Sequence, residues 1–280
     1  MNEDRSSSSP LRRLSTLLRP DAEAMWRIPP KGALPIRLDP PGAREAVLLL
    51  HGFTGYPGEM EPLAKGLVSA GWAVSAPRLP GHGTCRRDFL LTGAEDWARR
   101  AYDAYLELRA DYEVVHVGGH SMGALLASSI AASFRVPRLI LLAPAFEFSI
   151  RHIGLTSLIA PFKPVIAGNR KPSAFDLASP ERTALHPEYW ADVMVAPAAE
   201  LMRLRRLCRK NIDQCRSRIL VIAGEKDTSV PVEVIEYLRR AAPLAASFDS
   251  RVISGAPHVF PFDGHAAEAV SLVLEWMASP

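Results

Sequence analysis

The stretch "HVGGHSMGALLASSI", residues 116–130, decides how this chain folds. The apolar run "EVVHVGG" leads into it with the β-branched residues of a strand, and "MGALLASSIAASF" leaves it with the composition of a helix. Between the two, Gly119 and Gly123 flank Ser121. Gly-x-Ser-x-Gly is a weak signal alone, because short glycine–serine patterns recur by chance. Set between a strand and a helix it says more. Such a turn strains the backbone at the serine and leaves no room for side chains at 119 or 123. The hydroxyl is then held above the carboxyl edge of a sheet, where open α/β folds place their sites. The competing reading is a serine that merely caps the helix.

Working outward, short apolar segments alternate with helical ones. "ALPIRL", "EAVLLLHG" and "WAVSAP" read as strands, the second apolar enough to be buried on both faces. "GEMEPLAKGLVSAG" and "GAEDWARRAYDAYLELRADY" read as helices, the latter with Trp97, Ala101, Tyr105 and Leu108 along one side. After the serine segment come strand "RLILLAP", strand "SRILVIAGEKD", helix "VEVIEYLRRAA", strand "SFDSRVISGAPH" and helix "HAAEAVSLVLEWMA". This rhythm predicts an α/β fold, with a mostly parallel central sheet covered by helices on both faces. It breaks after Pro144, where a stretch with six prolines between Pro161 and Pro197 has no strand pattern. The chain therefore divides into an N-terminal tail (1–33), a first core part (34–145), an insertion (146–215) and a second core part (216–280).

Composition narrows the function classes. With 280 residues, 48% hydrophobic and 22% charged, the chain has ample material for a core. A net charge of +3 is too weak to argue for a nucleic-acid partner. Positive charge concentrates in "RLRRLCRKNIDQCRSR", residues 203–218, with seven basic residues and one acid; a solvated helix face is expected there, against an anionic lipid surface or a partner protein. Cys85, Cys208 and Cys215 form neither a disulfide framework nor zinc-like spacing, and fit a reducing, cytoplasmic setting. No apolar run approaches the roughly 18 residues of a membrane span. "LRRLSTLLR" in the tail reads as a short basic amphipathic helix, with Leu11, Leu14, Leu17 and Leu18 on one side.

A serine hydroxyl is a poor nucleophile near neutral pH and needs a base, itself oriented by a carboxylate. In this architecture the order is Ser, acid, His, each just beyond a later strand. Asp227 follows "RILVIAGEKD" and His258 follows "FDSRVISGAPH", both at predicted strand ends. Glu225 shares the loop of Asp227 but stands nearer the strand. Of the other histidines, His265 is expected exposed in the last helix's first turn, while His120 and His116 are read as structural. His51 belongs to the "LLLHGFTG" motif, His82 lies in a glycine-rich loop, and His152 and His186 lie in the insertion. The oxyanion of a tetrahedral intermediate needs preorganised donors. The backbone N–H of Met122, at the start of the helix, is one; that of Phe53, in "LLLHGFTG", residues 48–55, is the other.

At these residues the chain resembles the α/β-hydrolase superfamily, and within it the small bacterial carboxylesterases and monoacylglycerol lipases. The likeness runs through "LLLHGFTG", "PLAKGLVSAGWAVSAPRLPGHG", "LTGAEDWARRAYDAY" and "GHSMG", and resumes at "ILVIAGEKDTSVP" and the His258 region. It implies an α/β-hydrolase fold with nucleophile Ser121, acid Asp227, base His258, and oxyanion donors at Phe53 and Met122. It implies no metal or organic cofactor. It also implies that the insertion is a cap over an acyl pocket. The cap's first part, "FEFSIRHIGLTSLIAPFKPVIAG", is strongly apolar: it walls an acyl tunnel, rests on a lipid surface, or packs as ordinary cap. Residues 1–33 have no family counterpart. The expected reaction is hydrolysis of a small ester or lipid with an apolar acyl chain. Acyl transfer, carbon–carbon bond hydrolysis and a ligand-binding protein of the same fold are the alternatives.

Overall fold

The computed structural model describes residues 28–149, 153–168, 171, 180, 183 and 191–279. The amphipathic segment at 11–19, with His152 and His186, lies outside the described residues.

Seven strands form one sheet: β1 (Ile36–Leu38), β2 (Glu45–Leu50), β3 (Ala73–Ala76), β4 (Val114–His120), β5 (Arg138–Leu142), β8 (Arg218–Gly224) and β9 (Ser247–Ile253). Their spatial order is β1-β3-β2-β4-β5-β8-β9, and only β1, on β3, is antiparallel. The expected α/β-hydrolase architecture is observed. The strand expected at "ALPIRL" starts only at Ile36, because Lys31–Ala33 close a 3-10 turn before it.

Alternation along the central strands divides the core. Val47 and Leu49 of β2, with Ile140, Leu220 and Ile222, face helices α1 (Glu61–Ser69) and α8 (Ala266–Ala278), whose Leu63, Leu67, Val273 and Trp276 close that layer. Leu48 and Leu50, with Val117, Leu139, Leu141 and Val221, face the opposite layer. That layer is built by α3 (Ala94–Asp111), α4 (Met122–Ser133), α6 (Val195–Asn211) and α7 (Val234–Ala241), through Trp97, Tyr105, Leu125, Leu204 and Leu238. Parallel strands covered by helices on both faces must be apolar on both, and that is why β2 and β8 carry nearly continuous apolar runs. Each fully buried Leu or Val contributes about 1.5–3 kcal/mol relative to exposure. A five-residue helix, α2 (Arg86–Leu90), was not anticipated; it follows the glycine-rich turn at Gly81 and Gly83.

The proline-rich stretch does contain strands. β6 (Val165–Ile166) pairs antiparallel with β7 (Val193–Met194), forming a separate two-stranded ribbon. Two residues per strand are too few to leave an alternating pattern in the sequence. β7 runs directly into α6, while the short α5 (Thr156–Ile159) packs on α6, and α6 in turn on α4. Glu200 of α6 accepts the N–H of Ala94 at 3.1 Å, at the start of α3, and Cys208 packs its thiol on the Leu125 carbonyl at 3.3 Å. The basic face is only partly solvated. Arg205 and Arg209 turn inward and hold Glu147 at 3.0 and 2.9 Å, and both donate to the Phe146 carbonyl.

Candidate active site

The carboxyl ends of four parallel strands converge. β2 and β4 are neighbours in register, Leu50 opposite Gly119, so the loop after β2 and the turn after β4 leave the sheet side by side. At the end of β4, Ser121 has φ 53° and ψ −112°, a left-handed backbone that costs an ordinary residue on the order of 1–3 kcal/mol. The surroundings hold it there: its N–H donates to the Leu142 carbonyl at 2.9 Å, and its own carbonyl accepts from Ala145 at 3.3 Å. The two glycines are a matter of space. A Cβ at Gly119 would strike the backbone of Gly123 and Ala124, and one at Gly123 would strike the carbonyls of Leu50 and His51. α4 begins at Met122, whose N–H, in the first turn, has no acceptor within the helix.

The two partners come from the last strands. Asp227 lies three residues past β8 and His258 five past β9. His258 Nδ1 is 2.6 Å from Asp227 Oδ2, and its Nε2 is 3.0 Å from Ser121 Oγ. Asp227 Oδ1 accepts the N–H groups of Ser229 and Val230 at 2.7 and 2.8 Å, so both carboxylate oxygens are occupied and the side chain is 1% exposed. Burial pushes the Asp227 pKa up; the His258 hydrogen bond and charge and the two backbone donors together outweigh it and leave the carboxyl below its ordinary value. It stays ionised. Ser121 is 7% exposed and the His258 side chain 22%.

The loop after β2 approaches closely. A Cβ on Gly52 would lie 3.5 Å from the Ser121 Cβ, which puts the Gly52–Phe53 peptide beside the serine. Gly55 N–H closes the turn on the Gly52 carbonyl at 3.1 Å, and the Phe53 ring packs on Phe89 and Trp97. His51 buttresses the loop from below, accepting the Leu79 N–H at 3.1 Å through Nε2.

The competing residues lie elsewhere. Glu225 turns to Ser254 and Gly255 on the surface. His116 is buried against Glu45 at 2.9 Å, and His82 is buried among His51, Phe89 and Trp97. His265 stands just before α8 beside Asp263 and is half-buried rather than exposed, because the 263–265 turn folds its ring back on that carboxylate. His120 is buried, in keeping with the structural reading, and its ring lies 4.9 Å from that of His258, a contact the sequence did not reveal. Only its place beside the serine hinted at this.

Fold and site together define the class: the chain belongs to the alpha/beta hydrolase family, whose model matches residues 47–272. Among its relatives, it is 42% identical over 85 residues to the thermostable monoacylglycerol lipase of Bacillus sp. (strain H-257), a match covering 30% of this chain and 34% of that protein. It is 26% identical over 193 residues to the carboxylesterase of Bacillus subtilis (strain 168), covering 69% of this chain and 76% of that protein. Of solved structures, the metagenome-derived lipolytic enzymes LipS and LipT are represented by a match with TM-score 0.76 at 22% identity, covering 88% of this chain and 97% of that one. The monoacylglycerol lipase of Paleococcus ferrophilus gives a TM-score of 0.68 at 20% identity, covering 86% and 96%. At these identities the structural likeness speaks for the fold. No helix among the described residues is long and apolar enough to cross a membrane.

Proposed function

We propose that this chain is a serine hydrolase that cleaves carboxylic esters with an apolar acyl chain, monoacylglycerols among them, through an acyl-enzyme on Ser121. The coarser statement, an ester hydrolase of the lipase and carboxylesterase kind, rests on the family match and on the two curated relatives. The observation that carries the finer one is the unbroken line Ser121 Oγ–His258 Nε2, His258 Nδ1–Asp227 Oδ2, at 3.0 and 2.6 Å.

Ser121 Oγ attacks the ester carbonyl carbon as His258 Nε2 takes its proton. Asp227 holds the imidazole with Nδ1–H toward itself, which leaves the Nε2 lone pair facing the hydroxyl, and stabilises the imidazolium that forms. The carbonyl oxygen becomes an oxyanion, received by the N–H groups of Met122 and Phe53; one such donor is worth about 2.7–4 kcal/mol in the transition state. The imidazolium then protonates the departing alkoxide, and the acyl group stays on Ser121. A water molecule repeats the sequence, its proton going to His258 and then back to the Ser121 oxygen as the acid leaves.

Segment 146–215 acts as a cap over the acyl group, and its surface makes transient contact with lipid. Leu158 and Phe162, 70% and 88% exposed, support that contact. The three buried free cysteines support a cytoplasmic setting. The test is turnover of p-nitrophenyl esters from acetyl to lauroyl by wild type and Ser121→Ala. Activity rising with acyl length, lost in the variant, is expected. A variant as active as wild type refutes the serine mechanism, and a flat response to length refutes the apolar acyl pocket.

A further inference from the structure

His120 closes β4 and pairs with Leu142 of β5, so it belongs to the rigid sheet. Its ring is buried, and its Nε2 lies 3.0 Å from the backbone carbonyl of His258. A carbonyl has no proton to give, so Nε2 carries the hydrogen and donates. In the neutral ring Nδ1 is then a bare acceptor, and it is buried with no hydrogen-bond partner among the described residues. That nitrogen faces the loop after β2: a Cβ on Gly52 would stand 3.0 Å from it. Phe262 packs edge-on to the ring at 5.4 Å.

The base itself rides on a loop rather than on a strand. Lys226 N–H ties the start of that loop to the β8 side by donating to the Ala256 carbonyl at 2.9 Å, and the loop closes turns on itself past His258, Phe260 N–H to Pro257 at 3.2 Å and Phe262 N–H to Val259 at 3.1 Å. The bond on the backbone carbonyl of His258 itself comes from His120. His258 must keep two distances at once, to Asp227 and to Ser121. A side chain anchored in the strand next to Ser121 and gripping the backbone of the base sets the Ser121–His258 separation directly. A histidine suits the place because it stays neutral there. Burial, and then the charge of His258, push its pKa down to about 3, so no second cation competes when His258 takes the serine proton.

We propose that His120 is a positioning residue for His258: its Nε2–H, held on the end of β4, fixes the backbone of the base so that the imidazole meets Ser121 and Asp227 together, while its other face braces the Gly52–Phe53 loop. This role rests on the hydrolase reading above. It deepens that reading by adding a fourth side chain, one that does not touch substrate.

The test uses two variants of the full chain. Glutamine has an amide nitrogen the same number of bonds from Cβ as Nε2, so His120→Gln keeps a donor for the His258 carbonyl; His120→Leu fills similar space without one. Active sites are first counted by titration with a p-nitrophenyl phosphonate, and kcat and KM for p-nitrophenyl butyrate are then taken per titratable site, well below the melting temperature. Misplacing a catalytic group by about 1 Å can cost about 100-fold. His120→Leu is therefore expected to lose about 10- to 100-fold in kcat with KM changed less than about twofold, and His120→Gln to recover most of it. A merely structural role lowers the number of sites or the melting temperature and leaves kcat per site alone. Wild-type kcat per site in His120→Leu, or His120→Gln as slow as His120→Leu, overturns the proposal. A wild type that takes no phosphonate at Ser121 overturns the hydrolase reading and this role with it.

Discussion

The α-carbon of Gly123 rests against the backbone carbonyl of Leu50, so close that a single added carbon would overlap it. The Ser121 turn and the end of β2 are thus pressed together backbone to backbone, and neither partner is a flexible side chain that can yield. Gly123→Ala should destabilise the fold by about 1–3 kcal/mol or more, the cost of overpacking a core that cannot relax. Urea unfolding followed by Trp fluorescence measures this. A midpoint equal to wild type would mean that the two backbones are not in contact.

Asp227→Asn removes a charge and reverses a hydrogen bond. The amide oxygen can still accept from Ser229 and Val230, which leaves the NH2 facing His258 Nδ1. The imidazole then turns its Nε2–H toward Ser121, and no lone pair is available to take the proton. A fall in kcat of about 10⁴-fold is expected, with a stable fold. A loss of less than tenfold would show that Asp227 does not set the tautomer.

Acid sensitivity follows from histidines buried without charge. The pKa of His82 is lowered from 6.5 to about 4 and that of His120 from 6.5 to about 3, in each case chiefly by burial, and His51 is also held well below 6.5 by burial. Below pH 6.5 the unfolded chain takes up protons that the folded chain refuses. Stability is therefore full above pH 6.5 and declines as pH falls toward 4, by up to about 1.4 kcal/mol per pH unit for each histidine. Asp227 adds to the loss only further down, below its ordinary value of 3.8. Urea midpoints at pH 7.5, 6 and 5 should fall in that order. A flat series would contradict the burial of these rings.

Lipid contact through α5 and the turn after it predicts a separable defect. Replacing both Leu158 and Phe162 by Ser should weaken sedimentation with phospholipid vesicles by about 100-fold or more, given about 1.5–3 kcal/mol for each large apolar side chain buried. Turnover of a short, water-soluble ester should fall far less than vesicle binding, because both side chains point mostly to solvent, 70% and 88% exposed. Vesicle binding equal to wild type would mean that Leu158 and Phe162 do not touch lipid.

Much of this arrangement was legible in the chain. β2 is apolar enough to be buried on both faces, the alternation of short apolar strands with helices announces a parallel sheet, and Gly119 and Gly123 announce a turn without room for side chains. Asp227 and His258 could be found because the residues that follow parallel strands all collect at one edge. What stayed hidden depends on distance or brevity. The β6–β7 ribbon has two residues per strand, α2 has five residues, and the antiparallel sense of β1 leaves no trace in its composition. The bond from His120 to the His258 carbonyl joins residues 138 apart, and an alternation pattern on β4 shows only that the ring is buried.

The most direct measurement is covalent labelling with a p-nitrophenyl phosphonate, read by intact-mass and peptide mass spectrometry on wild type and on His258→Gln. One adduct per chain is expected, on Ser121, formed more slowly by about 1000-fold or more in the variant, which lacks the base. An unlabelled Ser121, or a variant that labels as fast as wild type, would contradict a hydroxyl activated by this histidine.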